Sequence, residues 1–399
     1  MDVSRKIVEV AAEYEQDFIS IRRRLHQNAE LAMKEFETAK IIVEELNKCE
    51  GVEVFTNMAG GTGVVGILKG KKPGKCILLR ADIDALAITE KNDLSFKSIN
   101  EGCMHACGHD AHAAWVLGAA RILSELREEV PGTIKFVFQP GEERGVGAKE
   151  LIEQDHVLED PKVDYAFSAH AWPSIPAGKI GIAQKYAFGC PAVFRVKILG
   201  KGGHGSTPHL AVNPIMVANQ ICTMFPQVLT EKIDGTEPRV ITVCSFMGGS
   251  PKGMNVIPED CYFQGTVRTT KMSVLEEIAR EMEAVVKACC TLHGAEYEFG
   301  FYKGIHQVEN NGELVNLCLK AARNVLGNQN AEIVEECSLG GDNFSEFSRR
   351  VPSVYMYAGV KDESKEEEYS IHSPQFILDE SSISKTAAVL AEIVFEANN

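Results

Sequence analysis

Apolar residues recur at helical spacing in "MDVSRKIVEVAAEYEQDF" and "ELAMKEFETAKIIVEELNK", so residues 1 to about 48 are predicted helical. The period then shortens. "GVVGILKG" and "KCILLRADIDAL" read as strands, the second a near-continuous apolar run of the kind buried on both faces of a sheet. "MHACGHDAHAAWVLGAARIL" opens polar and turns into an apolar helix, and the strands "GTIKFVFQP" and "VDYAFSAHAWP" follow it. Strands alternating with helices predict an α/β layer built on a mainly parallel sheet.

The rhythm changes near residue 189. "CPAVFRVKILG" reads as a strand, "NPIMVANQICTMFPQVL" as a helix, "RVITVCSFMGG" and "PEDCYFQGTVRT" as strands, "SVLEEIAREMEAVVKACCTLHG" as a helix and "AEYEFGFYKG" as a strand. That order, βαββαβ, predicts a ferredoxin-like unit over residues 189–303, inserted into a discontinuous domain of residues 1–188 and 304–399. The α/β pattern resumes with the helix "NNGELVNLCLKAARNVLG", the strand "VPSVYMYAGV" and the closing helix "DESSISKTAAVLAEIVFEANN". A domain nested in another is expected to leave a ligand-binding cleft between them.

Composition narrows the classes. At 399 residues the chain exceeds one average domain, and its net charge of −15 offers no basic footprint for nucleic acid. No apolar run approaches the roughly 20 residues of a membrane span, and the N-terminal helix lacks the apolar region of a signal peptide. Twelve cysteines are scattered over helical and strand patterns, with Cys289 and Cys290 adjacent, and read as reduced thiols of a cytoplasmic protein.

Candidate chemistry concentrates in residues 104–112, where His105, Cys107, His109 and His112 fall together. Gly108 lets the chain bend so that a thiolate and the His109 imidazole converge, and His109 and His112 would share a helix face. Partners lie at the ends of other strands. Glu142 and Glu143 follow "FVFQP" side by side, so one carboxylate can ligate a metal while the other faces a water. His170 ends a strand, where open α/β sheets build their sites, and His372 precedes "SPQF" in a loop. Each alone has an ordinary reading as a capping or surface histidine or a solvated acidic turn. Together, one Cys, three His and one Glu with a spare carboxylate exceed a closed structural site and fit two ions with open positions.

The motifs "RRRLHQNAEL", "LLRADIDAL", "MHACGHDAH", "FVFQPGEE", "AHAWP", "GKGGHGSTPH", "NVIP", "GTVRT" and "HSPQF" run almost end to end. In that order they resemble the M20 metallopeptidase family, in its amidohydrolase branch of aminoacylases, hippurate hydrolases and auxin-conjugate hydrolases. The resemblance implies two divalent metal ions per subunit, zinc or manganese with cobalt or nickel also accepted, held by Cys107, His109, Glu143, His170 and His372. It makes Glu142 the general base, sets Asp84 behind the metals, and places Asp82 where other branches carry a metal-binding histidine. It makes the inserted unit a lid and dimerisation domain of a homodimer or higher oligomer. There His204 of one subunit would stabilise the oxyanion at its neighbour's site, and Asn255 and Arg268 would contact the substrate amide and carboxylate.

The implied reaction is hydrolysis of N-acyl amino acids. The alternatives are a dipeptidase or small-peptide carboxypeptidase with the same chemistry, and a metal-dependent binding protein without catalysis. One motif departs from the branch. "GGDNF" puts Asp342 where the branch has a glutamate and Asn343 where it has an aspartate, which leaves substrate and metal preference open.

Overall fold

The computed structural model describes residues 3–335, 337–365 and 369–399, and the chain divides into two compact units. The first comprises Met1–Ala187, Val308–Glu336 and Asp342–Asn399, and the second Phe188–Gln307 with Cys337–Gly341. The short piece 337–341 joins the second unit with no change in hydrophobic rhythm to announce it.

The first unit is built on an eight-stranded, mainly parallel sheet. Its order is Val52–Met58, Gly63–Lys69, Pro131–Gln139, Lys72–Asp82, Tyr165–Pro176, Ser353–Lys361, Ile180–Ala183 and Ala331–Val334. The four central strands run parallel to one another. They are the near-continuous apolar runs of the sequence, and every residue from Cys76 to Asp82 is buried, as a strand covered on both faces requires. The helix His109–Glu125 is buried along almost its whole length and shares one core with the closing helix Ser382–Glu396. The sequence reading omitted Val52–Met58, Ile180–Ala183 and Ala331–Val334, short or half-exposed strands with little apolar signal of their own.

In the second unit a strand, a helix, two strands, a helix and a strand follow one another, with the short paired strands Gly203–His204 and Val256–Ile257 set among them. Its antiparallel sheet runs Arg239–Gly248, Asp260–Thr269, Cys190–Leu199, Glu296–Lys303. Cys190–Leu199 alternates strictly, with Ala192, Phe194, Val196 and Ile198 buried in one core with the helices Pro214–Lys232 and Met272–His293. Arg239–Gly248 is an edge strand, and it exposes Val240, Val243, Phe246 and Met247. All twelve cysteines carry free thiols, and no described helix is long and apolar enough to cross a membrane.

Candidate metal centre

The carboxyl ends of the central parallel strands carry the chemistry of the first unit. Asp82 closes one strand and Asp84 follows it, while Glu142 and Glu143 open a 3-10 turn just after Pro131–Gln139. His170 lies on Tyr165–Pro176, two residues beyond the position paired with Arg80. The loop holding Cys107 reaches the same end through Gly108, whose φ of +89° starts the helix at His109. The His372 backbone N–H donates to the Ala106 carbonyl at 2.7 Å and lays the last loop beside Cys107. His372 itself takes φ +66°, a left-handed conformation uncommon outside glycine.

These elements bring Cys107, His109, Glu143, His170 and His372 together. One donor atom from each of Cys107, His109 and His170 lies within 4.8 Å of the others, and the same holds for Cys107, Glu143 and His372. Glu142 joins His109 and Glu143 in a further such group. The histidine tautomers follow from their partners. His109 Nδ1–H donates to the Asp84 carbonyl (2.9 Å) and His170 Nδ1–H to the Ala171 carbonyl (2.9 Å), so each ring presents its Nε2 lone pair to the centre. Backbone or carboxylate acceptors on the far nitrogen are the usual support of metal-binding histidines.

His109 Nε2 and Glu143 Oε1 are buried and make no hydrogen bond among the described residues. Glu143 Oε1 nevertheless sits 3.3 Å from His372 Nε2 and 3.9 Å from His109 Nε2. Cys107 Sγ lies 3.5 Å from His170 Nε2, and this converging set of S, N and O donors suits a borderline divalent ion such as zinc.

Asp84 grips the site from behind. Its two carboxylate oxygens accept the backbone N–H groups of Glu142 and Glu143, each at 3.1 Å, while Oδ1 lies 3.3 Å from His109 Nδ1. Position-by-position reading left His112 outside the ligand set. In the structure its Nε2 accepts the Ala171 N–H (2.8 Å) and its Nδ1–H donates to Asp82 Oδ1 (2.5 Å), so both nitrogens are occupied. Arg80 was also missed. It is wholly buried, donates to Asp82 Oδ2 at 2.6 Å, and lies 3.3 Å from Asp342 Oδ1. Its signal was a lone arginine inside an apolar strand, which a sheet buries only with partners.

Electrostatics divide the two glutamates. Burial, reinforced by the nearby Asp342 charge, pushes the Glu142 carboxyl well above the usual range. Burial also acts on Glu143, but the His372 ring, with Nε2 3.3 Å from Oε1, outweighs it and lowers its pKa. Burial drives His170 down to about 3, so it is a neutral ring.

The other candidate residues lie in the second unit. Gly203–His204 pairs with Val256–Ile257, and the Gly205 N–H donates to the Asn255 carbonyl (2.8 Å), so His204 and Asn255 are neighbours and both are exposed. The Ser206 N–H donates to His204 Nδ1 (3.1 Å), which leaves the Nε2 proton as the donor. Arg268 lies on the strand Asp260–Thr269, its Nη1 near the Val267 carbonyl (3.1 Å).

Peptidase family M20/M25/M40 matches residues 78–396. The chain is 35% identical over 402 residues, 100% of each chain, to thermostable carboxypeptidase 2 of Saccharolobus solfataricus. To the N-acyl-L-amino acid amidohydrolase of Geobacillus stearothermophilus it is 38% identical over 308 residues, 77% of this chain and 82% of the other. Among solved structures it is similar to the Bacillus subtilis YxeP protein, a dinuclear metal-binding peptidase from the M20 family. The TM-score is 0.81 at 30% identity, over 96% of this chain and 98% of that one.

Proposed function

We propose that this chain, which belongs to peptidase family M20/M25/M40, is a metal-dependent hydrolase of N-acyl amino acids, releasing a carboxylic acid and a free amino acid. The observation that carries this reading is the buried, unbonded pair His109 Nε2 and Glu143 Oε1, with Glu142 in the same cluster. Cys107, His109, Glu143, His170 and His372 would hold two divalent ions, zinc being favoured by the thiolate, which when bound lower the pKa of a water towards neutrality and polarise the carbonyl. Glu142 takes the proton of the attacking water and returns it to the leaving amine, and its raised pKa suits both transfers. Asp84 holds the Glu142–Glu143 turn and the His109 ring still.

His204 donates from Nε2 to the developing oxyanion, worth roughly 3 to 4 kcal/mol for such a donor. Asn255 and Arg268 bind the substrate amide and carboxylate. We assign the second unit the role of lid and dimerisation domain, with His204 serving the neighbouring subunit of a cytoplasmic homodimer. The exposed apolar residues on the edge strand Arg239–Gly248 support such pairing, because an open edge of this kind is a template for a second chain.

Metal analysis beside a panel of N-acetyl, N-benzoyl and dipeptide substrates tests the assignment. Turnover of N-acyl amino acids is expected. Cleavage of free dipeptides alone would move the enzyme to the peptidase reading, which the Saccharolobus relative's name favours. Glu142→Gln should abolish turnover with metal retained and Glu143→Gln should lose metal; equal loss in both would refute the division of labour.

A further inference from the structure

We propose that Asn343 is a positioning residue for the Glu142 carboxylate, and that this work is what requires an amide at the position. The proposal rests on Glu142 as the base. The Asn343 backbone N–H donates to Glu142 Oε1 at 3.3 Å, so the placement of residue 343 acts directly on that oxygen.

Hydrogen-bond polarity fixes the Asn343 side chain step by step. Arg80 can only donate, and its Nε lies 3.0 Å from Gln139 Oε1, so the Gln139 oxygen must face the guanidinium. Gln139 therefore turns its Nε2 towards Asn343 Oδ1, at 2.8 Å, and Arg80 Nη2 donates to the same oxygen at 3.2 Å. With its oxygen committed, Asn343 points Nδ2–H at the Val146 carbonyl, 2.7 Å away. Val146 lies in the segment that follows Glu142 and Glu143, so the amide ties the far side of that turn to the strand ends below it.

An acid at 343 would break this order. Its second oxygen would meet the Val146 carbonyl, acceptor against acceptor. It would also add a buried negative charge where Arg80 already faces Asp82 and Asp342. The charged and titratable groups around the position are Arg80, Asp82, Asp342, Glu142 and Tyr355, whose hydroxyl donates to Asp342 Oδ2 (2.7 Å). "GGDNF" thus keeps one carboxylate in the network, at 342, and makes its neighbour a donor.

The test is Asn343→Asp, near-isosteric, assayed beside the wild type on one N-acyl amino acid from pH 5 to 8, with bound metal and thermal midpoint measured on the same samples. Expected at neutral pH is a kcat loss of roughly 10²-fold, the scale of a small misplacement of a reacting group, with KM and metal content near wild type. The variant-to-wild-type ratio should rise as pH falls, because a protonated carboxyl again offers Val146 a donor. Wild-type kcat at neutral pH overturns the proposal, as does a deficit independent of pH and matched by loss of metal. Should Asn343→Asp fail to fold, Asn343→Ala keeps the backbone N–H but frees it, and should lower kcat with KM unchanged; an unaltered kcat there overturns the proposal too. A wild type that cleaves nothing in the panel overturns the functional reading as well, and so separates the two failures.

Discussion

Gly108 joins the Cys107 loop to the helix His109–Glu125, and replacing it with alanine combines two separable costs. Its φ of +89° imposes the left-handed penalty on any Cβ, roughly 1–2 kcal/mol. A Cβ would also stand 2.8 Å from Ala171 Cβ, closer than carbon atoms pack. Ala171 is fully buried on Tyr165–Pro176, which pairs with strands on both sides, so it cannot retreat alone. Overpacking of that kind adds about 1–3 kcal/mol, for a total of about 2–5 kcal/mol. Gly102 supplies the control: its φ is +77°, yet nothing lies within 4 Å of its Cβ position. Gly102→Ala therefore bears the first cost only. Urea unfolding followed by far-ultraviolet circular dichroism should rank wild type, Gly102→Ala and Gly108→Ala in falling stability. Because Cys107 and His109 flank the site and Ala171 follows His170, metal content should fall in Gly108→Ala alone. Equal stability loss in the two variants, or full metal content in Gly108→Ala, would refute the clash.

Cys107→Ser should lower metal affinity and activity together, while Cys244→Ser, at an exposed thiol, changes neither; a fully active Cys107 variant would remove that sulfur from the metal shell. Burial opposes ionisation of Asp110, but Arg22, with Nε 2.7 Å from Oδ2, and His26 hold its pKa far below the ordinary value, so its contribution is present above about pH 4 and lost as pH falls. Asp110→Asn should thus cost about 3–5 kcal/mol at pH 7 and flatten the acid limb of the stability curve; an unchanged limb in urea midpoints from pH 7 to 3 would contradict this. His204→Ala and Glu142→Gln should each be nearly inactive, yet after subunit exchange about a quarter of sites should recover, by two-fold symmetry. A mixture no better than its parents would place His204 in its own chain's site.

The gathering of Cys107, His109, Glu143, His170 and His372 was legible because it depends on residue type and strand position. A cysteine and three histidines near strand ends have few other uses in such numbers, and parallel strands deliver their carboxyl ends to one side of the sheet whatever their order. The second unit was legible because each central strand alternates strictly, so its period alone names the buried face. The strands Ile180–Ala183, second from the sheet edge, and Ala331–Val334, at that edge, were not. Each has four residues, and each becomes a strand by pairing with the other in parallel across about 150 residues of sequence, a register no local pattern encodes.

What escaped the sequence was the direction of each hydrogen bond. His112 was seen to share a helix face with His109, but the Ala171 N–H and Asp82 claim both of its nitrogens, and neither partner is fixed without the register of two strands. Arg80 could be seen as a charge in an apolar run, but Asp342 and Asn343 lie more than 260 residues along the chain. Asn343 shows the limit most clearly. Against the family pattern it reads as a lost carboxylate beside a metal cleft, a change expected to bear on substrate or metal. In the fold its side chain accepts from two donors and donates to Val146 while its backbone N–H donates to Glu142, so on the proposal above the substitution acts on the proposed base and not on the ligands. A departure from a motif therefore has to be judged by the donors and acceptors around it, since the same missing charge would mean something different wherever Val146 did not need a proton.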